Sequence, residues 1–267
     1  MMDKYKSLLL PPPRIRFPNP LHFFVYLAFI LLIVNSVKNV SLSPVDLAHG
    51  IPHIVRIIRE MLPPSFDRVD SVINATFETL QMALVGTLIG IAISFPLSIL
   101  ASKVHTPHQL LYYTARVLIA FLRTVPDIIW AQIFVVSVGL GPFAGTLAIM
   151  VDTIGFCGRF FAEAMEEVDK EPQEALKAIG ASRIDIIFCV VVPMALPSFT
   201  NTILYSLEKS TRSSVILGLV GAGGIGIELK VAMDMFQYQQ ASTIILAIFL
   251  LVFIVEQISS IVRSRII

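Results

Sequence analysis

The most informative stretch of the chain, residues 171–193, reads EPQEALKAIGASRIDIIFCVVVP. Pro172 suits the first position of a helix, because proline has no backbone N–H to lose there. Gly180 suits the position just past a helix end, because glycine readily adopts a positive φ. The first half of the stretch therefore predicts a short helix that ends in a sharp turn.

The second half of the stretch predicts a new helix directly after that turn. Ser182 is a natural N-cap, and Asp185 has the spacing of its capping-box partner. An apolar run follows, and it contains Pro193 and Pro197. We expect a long membrane helix broken at these two prolines.

Working outward, runs without charged residues locate the membrane spans, since a helix needs about 20 mostly apolar residues to cross. The run at 128–151 contains three glycines and a proline at 139–145, which is typical of a turn. We therefore divide it between a helix that bends at Pro126 and a helix that follows the turn. The sequence predicts six spans, at residues 17–37, 79–102, 108–138, 144–165, 186–207 and 235–255.

The composition agrees with a membrane protein. Of the 267 residues, 55% are hydrophobic and only 15% are charged, where soluble domains have about 25% charged residues. Such a chain has too little polar surface to cover a soluble globule, and its net charge of +1 excludes a typical nucleic-acid binder. Cys157 and Cys189 both lie in apolar runs, which favours small core residues over a redox pair.

The distribution of charge predicts the topology. Four basic residues precede the first span and two follow the last, which predicts that both termini are cytoplasmic. A cleaved signal peptide is the alternative for the first apolar run. We expect a cytoplasmic N-tail at 1–20, a first transmembrane helix at 21–38, an external segment at 39–73, a transmembrane core at 74–263 that includes the two-helix elbow at 168–186, and a cytoplasmic C-tail at 264–267.

The external segment contains an amphipathic stretch. Apolar residues recur at helical spacing from His49 to Leu62, before Pro63 and Pro64. This pattern is typical of a helix that lies in the membrane interface. A helix packed under a loop has the same pattern, so both alternatives stay open.

The elbow also resembles a known motif. Its residue order is similar to the E-A-A-x-x-x-G-x₉-I-x-L-P coupling loop of bacterial ABC importer permeases, with Leu176 in place of the second alanine and Val190 and Val192 in place of Ile and Leu. In that family the short helix docks in a cleft of the ATPase subunit. The resemblance implies that coupling residues are Glu174, Ala175, Leu176, Ala178, Gly180 and Pro193.

Three further segments extend the resemblance over roughly residues 70–260. Residues 138–145, 215–226 and 236–240 together are similar to phosphonate-import permeases, a family with relatives that handle phosphite and hypophosphite. This resemblance implies an all-α, six-span type I permease with a methionine-importer-like core. It also implies a homodimer in the lipid of a bacterial inner membrane, served by an ATPase dimer and a substrate-binding protein. The core at 74–263 would then be the permease core, and the elbow at 168–186 would be its coupling elbow.

Residues 221–226 match the dinucleotide-binding pattern G-x-G-x-x-G, but they lie between two spans and not in a βαβ unit. Four glycines in six residues instead predict a tight, re-entrant backbone that lines a cavity. The sequence carries no P-loop motif and no recognisable catalytic or metal-binding set. We therefore expect a transport subunit that is not itself an enzyme and has no cofactor, with ATP and magnesium on the partner ATPase.

Charged residues at membrane depth are costly and are candidates for function. Arg123 and Asp127 are four residues apart, as are Glu208 and Arg212, so each pair could form an ion pair along one helix. Alternatively, these side chains line a path for a small anion, since arginine suits phosphorus oxyanions. The hypothetical path or gate comprises Arg123, Asp127, Glu208, Arg212, Gly221, Gly223, Gly224 and Gly226.

The sequence thus predicts a permease subunit that moves phosphonate, phosphite or hypophosphite by alternating access, driven by ATP on another chain. The alternative is a secondary transporter or channel for a small anion. That class is typically built on an inverted repeat of broken helices, and the two halves of this chain contain no such repeat.

Overall fold

The computed structural model describes residues 20–40 and 43–266, so the basic residues of the predicted N-tail lie outside the described part. The described residues form helices and turns without strands, which confirms the all-α class. The helices are α1 (Pro20–Asn39), α2 (Pro44–Glu60), α3 (Val69–Ala101), α4 (Gln109–Thr124), α5 (Asp127–Val138), α6 (Pro142–Glu166), α7 (Lys170–Ala178), α8 (Arg183–Ile186), α9 (Val192–Leu219), α10 (Ile225–Asp234) and α11 (Tyr238–Ile266), and a π-helical turn at Ile187–Val191 joins α8 to α9.

The chain divides into two compact units, Met1–Arg56 and Ile57–Ile267. The first unit contains α1, which is long and apolar enough to cross a membrane, and most of α2. Helix α2 is amphipathic and begins at Pro44, five residues before the stretch predicted from the sequence. The second unit contains all the remaining helices.

Within the described residues, five helices are long and apolar enough to span a membrane: α1, α3, α6, the continuous run α8–α9, and α11. The pair α4 and α5 passes the same test together, but the two helices meet at an angle of 87°. The break lies at Val125 and Pro126, where the sequence predicted a bend. Six spans result when this pair is counted as one broken span.

Two spans are longer than their uncharged runs. Helix α3 begins at Val69 and not at residue 79, and α9 continues through Glu208 and Arg212 to Leu219 and does not end near residue 207. Both predicted boundaries were wrong because charged residues were taken as helix ends. The carboxylates in these segments instead have distant partners: Glu78 binds the loop before α10, and Glu208 binds Arg263 of α11.

The predicted break at Pro193 is also wrong, since the helix continues through it. Proline lacks an N–H and its ring collides with the carbonyl one turn earlier. The chain accommodates it by widening the preceding turn to a π-helix, in which the Val192 N–H bonds to the Ile187 carbonyl five residues back. Pro197 lies inside α9, four residues further on.

Helix α6 is the centre of the second unit, and α3, α4, α5 and α9 all pack against it. Small residues allow α3 to approach closely: a Cβ added at Gly86 would meet Ile149, and one at Gly90 would meet Thr153. The end of the bundle that carries α7 is called the elbow end here. The opposite end carries the glycine-rich loop at residues 220–224.

Candidate coupling elbow and translocation path

Helix α7 presents one face outward and fixes the other to the bundle. Glu174, Ala175 and Ala178 are exposed. Leu176 packs on the apolar cluster at the elbow end of the bundle. Gln173 is buried, and its amide donates hydrogen bonds to backbone carbonyls just before the helix. The predicted coupling residues on α7 thus divide into an exposed set and one anchor, Leu176.

The turn after α7 has the predicted geometry. Gly180 has φ +87°, a conformation that strongly favours glycine. The Ala181 N–H bonds back to the Leu176 carbonyl at 3.1 Å, so the turn closes on the helix that it ends. A capping box then starts α8: the Asp185 N–H donates to the Ser182 hydroxyl, and the Ser182 N–H donates to the Asp185 carboxylate.

The elbow rests on an apolar cluster at this end of the bundle. Ile186 and Val191, which follow the turn, pack with Phe161 and Met165 of α6 and with Phe199 of α9. These side chains are at most 5% exposed, so the elbow is joined to two membrane helices by close packing. Pro193 lies beyond the π-turn, away from the exposed face of α7, and its effect is on helix shape.

Glu166, which the sequence did not single out, ties three elements together at the elbow end. Its carboxylate accepts a hydrogen bond from the backbone N–H of Lys103 at 2.6 Å and forms an ion pair with Arg116 at 2.8 Å. Beside it, the His105 ring is 3.4 Å from the Met165 carbonyl, and burial lowers its pKa. No local pattern could have found Glu166, because its partners are 50 and 63 residues away in the chain.

The glycine-rich loop folds back against α3. The Gly224 N–H donates to the Glu78 carboxylate at 2.8 Å, and the Ile225 N–H donates to the Thr79 hydroxyl at 2.7 Å. Glu78 is nine residues into α3, about 14 Å along the helix. The loop therefore lies alongside the third turn of α3, and at the same level its Gly221 carbonyl accepts a hydrogen bond from the Gly141 N–H just before α6. Glu78 also places a negative charge at the N-terminus of α10, where the helix dipole stabilises it.

The loop is packed tightly. Gly221, Gly223 and Gly224 all have positive φ angles. Gly226, the second residue of α10, lies directly beside α9. A Cβ added there would collide with the Val215 carbonyl oxygen and with Gly218. The structure therefore brings the four glycines of the predicted path together. Glu78 and Thr79, which hold the loop in place, were missed by sequence reasoning.

The ion pairs predicted along single helices do not form. Arg123 lies in the last turn of α4, and Asp127 is the first residue of α5 on the other side of the 87° break. The Asp127 carboxylate accepts a hydrogen bond from the N–H of Ile128. Glu208 pairs with Arg263 of α11 at 2.8 Å and not with Arg212. Arg212 is exposed, without an acidic partner among the residues described. Both predictions were wrong, because the 87° break separates Arg123 from Asp127 and because Glu208 has its partner on another helix.

A further pair lies at membrane depth. The Lys209 ammonium contacts both oxygens of Asp152, at 2.7 and 2.8 Å, and lies 5.1 Å from the centroid of the Phe156 ring. This pair joins α9 to α6 near the middle of each helix. Sequence reasoning did not predict this pair, since the two residues are 57 positions apart.

Comparison with known proteins gives this geometry a family. Residues 94–267 match the family described as "Binding-protein-dependent transport system inner membrane component". The chain belongs to this family. It is therefore a multi-pass membrane component of a transport system, and the elbow and the glycine-rich loop are parts of a permease.

Two relatives carry names that specify a cargo. The chain is 38% identical over 224 residues to the phosphite transport system permease protein PtxC of Stutzerimonas stutzeri, which covers 84% of this chain and 82% of that one. It is 37% identical over 241 residues to the phosphate-import permease protein PhnE of Mycolicibacterium smegmatis. That match covers 90% of this chain but 44% of the relative, so the permease spans under half of that protein's length.

The fold also has solved counterparts. A chain from inward-facing structures of the MetNI methionine ABC transporter aligns with a TM-score of 0.67 and 24% identity, over 76% of this permease and 99% of that chain. This similarity confirms the predicted type I importer fold with a methionine-importer-like core.

Proposed function

We propose that this permease is the transmembrane subunit of an ATP-driven importer for phosphite or a related phosphonate or phosphate anion. The relatives named for phosphite and phosphate import support this class of cargo. A homodimer of the permease would be served by two ATPase subunits, which hold ATP and magnesium, and by a substrate-binding protein. The elbow would then face the cytoplasm, and both termini would lie on that side of the inner membrane.

The observation that carries the proposal is the construction of the elbow. An exposed helical face with small side chains at Ala175 and Ala178 suits docking into a cleft on a partner, and Glu174 offers a charge beside them. The other side of the elbow is packed into α6 and α9. A displacement of the docked helix would therefore reach the membrane helices directly, as ATP-driven alternating access requires.

The remaining predicted path residues take separate roles in this proposal. Arg123, Asp127 and Arg212 would line the path, since each carries a charge without an ion-pair partner among the residues described. The glycine-rich loop would form the gate at the end opposite the elbow. We assign Glu208 to the framework, because Arg263 holds it.

The proposed cargo and energy source are tested by uptake of radiolabelled phosphite into vesicles that contain the permease with its co-purified ATPase and binding protein. We expect uptake that requires ATP and that saturates with phosphite. Uptake that persists without the ATPase would contradict the proposal and favour a secondary transporter or channel. ATP-dependent uptake of another anion with exclusion of phosphite would retain the importer but correct its cargo.

The docking role of α7 is tested by Ala175→Glu. We expect loss of ATPase co-purification and a fall in uptake of about tenfold or more, because a bulky charge would enter the centre of a packed interface. The protomer should fold normally, since an exposed substitution changes stability by only about 0.5 kcal/mol. Ala175→Ser is the matched control and should behave as the wild type. Normal ATPase binding by Ala175→Glu would show that this face does not dock.

A further inference from the structure

A groove between α4 and α6 is lined by three arginines. Its cavity measures about 320 Å³, and Arg116, Arg123 and Arg159 form its walls together with Ile119, Ala120 and Thr124. Half of the lining residues are therefore cationic. A groove of this size accommodates a small anion with part of its hydration shell.

The charges in the groove do not cancel. Arg116 is paired with Glu166, and Arg159 is paired with Glu163 one turn along α6. Arg123 has no acidic partner among the described residues, and its guanidinium carbon lies 5.6 Å from the centroid of the Phe160 ring. A contact with a ring face leaves the in-plane N–H donors of a guanidinium available. The groove thus carries one uncompensated positive charge with unused donors.

The groove occupies a distinct face of α4. Ala115 and Ile119 are buried against the bundle, whereas Leu110, Val117 and Phe121 form an exposed apolar face. Arg116 and Arg123 are seven residues apart and share the remaining face. The apolar face suits lipid hydrocarbon, but a face with unpaired charge at membrane depth requires water or protein. The groove therefore faces water or protein and not lipid hydrocarbon.

The position of Arg123 is fixed by backbone packing. Gly155 of α6 faces the backbone of α4 at this point, and a Cβ added to Gly155 would lie 3.0 Å from the backbone nitrogen of Arg123. Arg116 lies two turns nearer the elbow end, about 10 Å away along the helix, where its Nε donates to the Ala101 carbonyl at 2.7 Å. The three arginines therefore form a row that runs from membrane depth toward the elbow end.

We infer that this groove binds a tetrahedral phosphorus oxyanion, with Arg123 as its principal ligand and Arg116 and Arg159 beside it. The inference rests on the proposed function and specifies where the cargo contacts the permease. The planar guanidinium matches two oxygens of such an anion with two parallel hydrogen bonds. The row gives an anion that enters from the opposite end a second and a third contact as it moves toward the elbow.

Chemical protection tests binding without transport. The full-length permease in phosphatidylcholine nanodiscs is treated with phenylglyoxal, and the modification of each arginine is followed by peptide mass spectrometry. We expect saturating phosphite to slow modification of Arg123 by about tenfold relative to chloride of equal ionic strength. Arg68, at the opposite end of the bundle and 51% exposed, should be modified at an unchanged rate. Equal rates at Arg123 with and without phosphite would overturn the inference.

The same measurement separates a dissolved anion from a lipid headgroup. Protection by phosphite in zwitterionic discs supports a site on the path. Protection by phosphatidylglycerol discs alone, with no effect of phosphite, would identify a lipid phosphate and overturn the path assignment.

Uptake by variants of the assembled complex gives an independent test. We expect Arg123→Gln to raise the KM for phosphite by about tenfold with the ATPase rate retained, because a charge-assisted contact is lost. Arg123→Lys should recover part of the affinity, and Arg68→Gln is the matched control. If the complex imports phosphite and Arg123→Gln leaves the KM unchanged, the anion site in the groove is refuted and the proposed function stands. If the wild-type complex imports no phosphite but phosphite still protects Arg123, the cargo is wrong and the groove stands.

Discussion

Gly226→Ala is expected to destabilise the permease by about 3 kcal/mol or more, at the upper end of overpacking effects. The added methyl group would collide with the Val215 carbonyl oxygen and with Gly218. Both are backbone groups of α9 and cannot move aside as a flexible side chain could. The glycine-rich loop would then have to leave its position against α3.

The matched control for this change is Gly50→Ala. Gly50 also lies inside a helix, but a Cβ there meets nothing within 4 Å. We expect unchanged or slightly raised stability, by about 0.5–1 kcal/mol, because alanine restricts the unfolded chain. Thermal unfolding of the detergent-solubilised protein, with the monodisperse yield on size exclusion, measures both variants. A wild-type melting temperature for Gly226→Ala would refute the close approach of α10 to α9.

Removal of one partner from the ion pair of Asp152 and Lys209 is the second large effect that we expect. Lys209→Met leaves the Asp152 carboxylate without its counter-charge between α6 and α9. An unpaired charge at membrane depth costs about 2.5–3.5 kcal/mol on insertion scales. Asp152→Asn should have a similar effect, since it leaves the ammonium of Lys209 unpaired.

The double variant Asp152→Asn with Lys209→Met separates the pair from its parts. It has no charge to bury, so it should recover most of the stability lost in either single variant. The matched control is the exposed pair of Arg68 and Glu228, 3.8 Å apart, where Arg68→Gln should cost less than about 1 kcal/mol. Losses that simply add in the double variant would show that the two residues are not coupled. The free energy of unfolding of these four variants and of the wild type is measured by chemical or thermal unfolding in the same detergent.

The elbow could be predicted from the sequence because every interaction that shapes it is local. Gly180 needs a positive φ, and Ser182 and Asp185 are three residues apart, so the turn and the capping box are written in consecutive residues. The bend near Pro126 is local in the same sense, although its angle of 87° is not. The family resemblance depended on Gly180 and on further consecutive stretches, residues 138–145, 215–226 and 236–240, which is why the fold class was accessible.

The charged residues could not be placed correctly because their partners are distant in the chain. Glu78 meets a loop that lies 146 residues later, and Glu208 meets an arginine 55 residues later. A local pattern finds only partners three or four residues away, and it therefore suggested pairs that do not form. The groove of three arginines was missed for the same reason, since α4 and α6 supply its walls together.

The hydrogen bonds of Glu166 have a mechanical consequence. They join the loop after α3, the side of α4 and the end of α6 within a single carboxylate's reach. We expect a torque applied at α7 to act on these three elements together. The 87° break between α4 and α5 has Arg123 on one side and Asp127 on the other. Any change in that angle would therefore change the distance between two opposite charges.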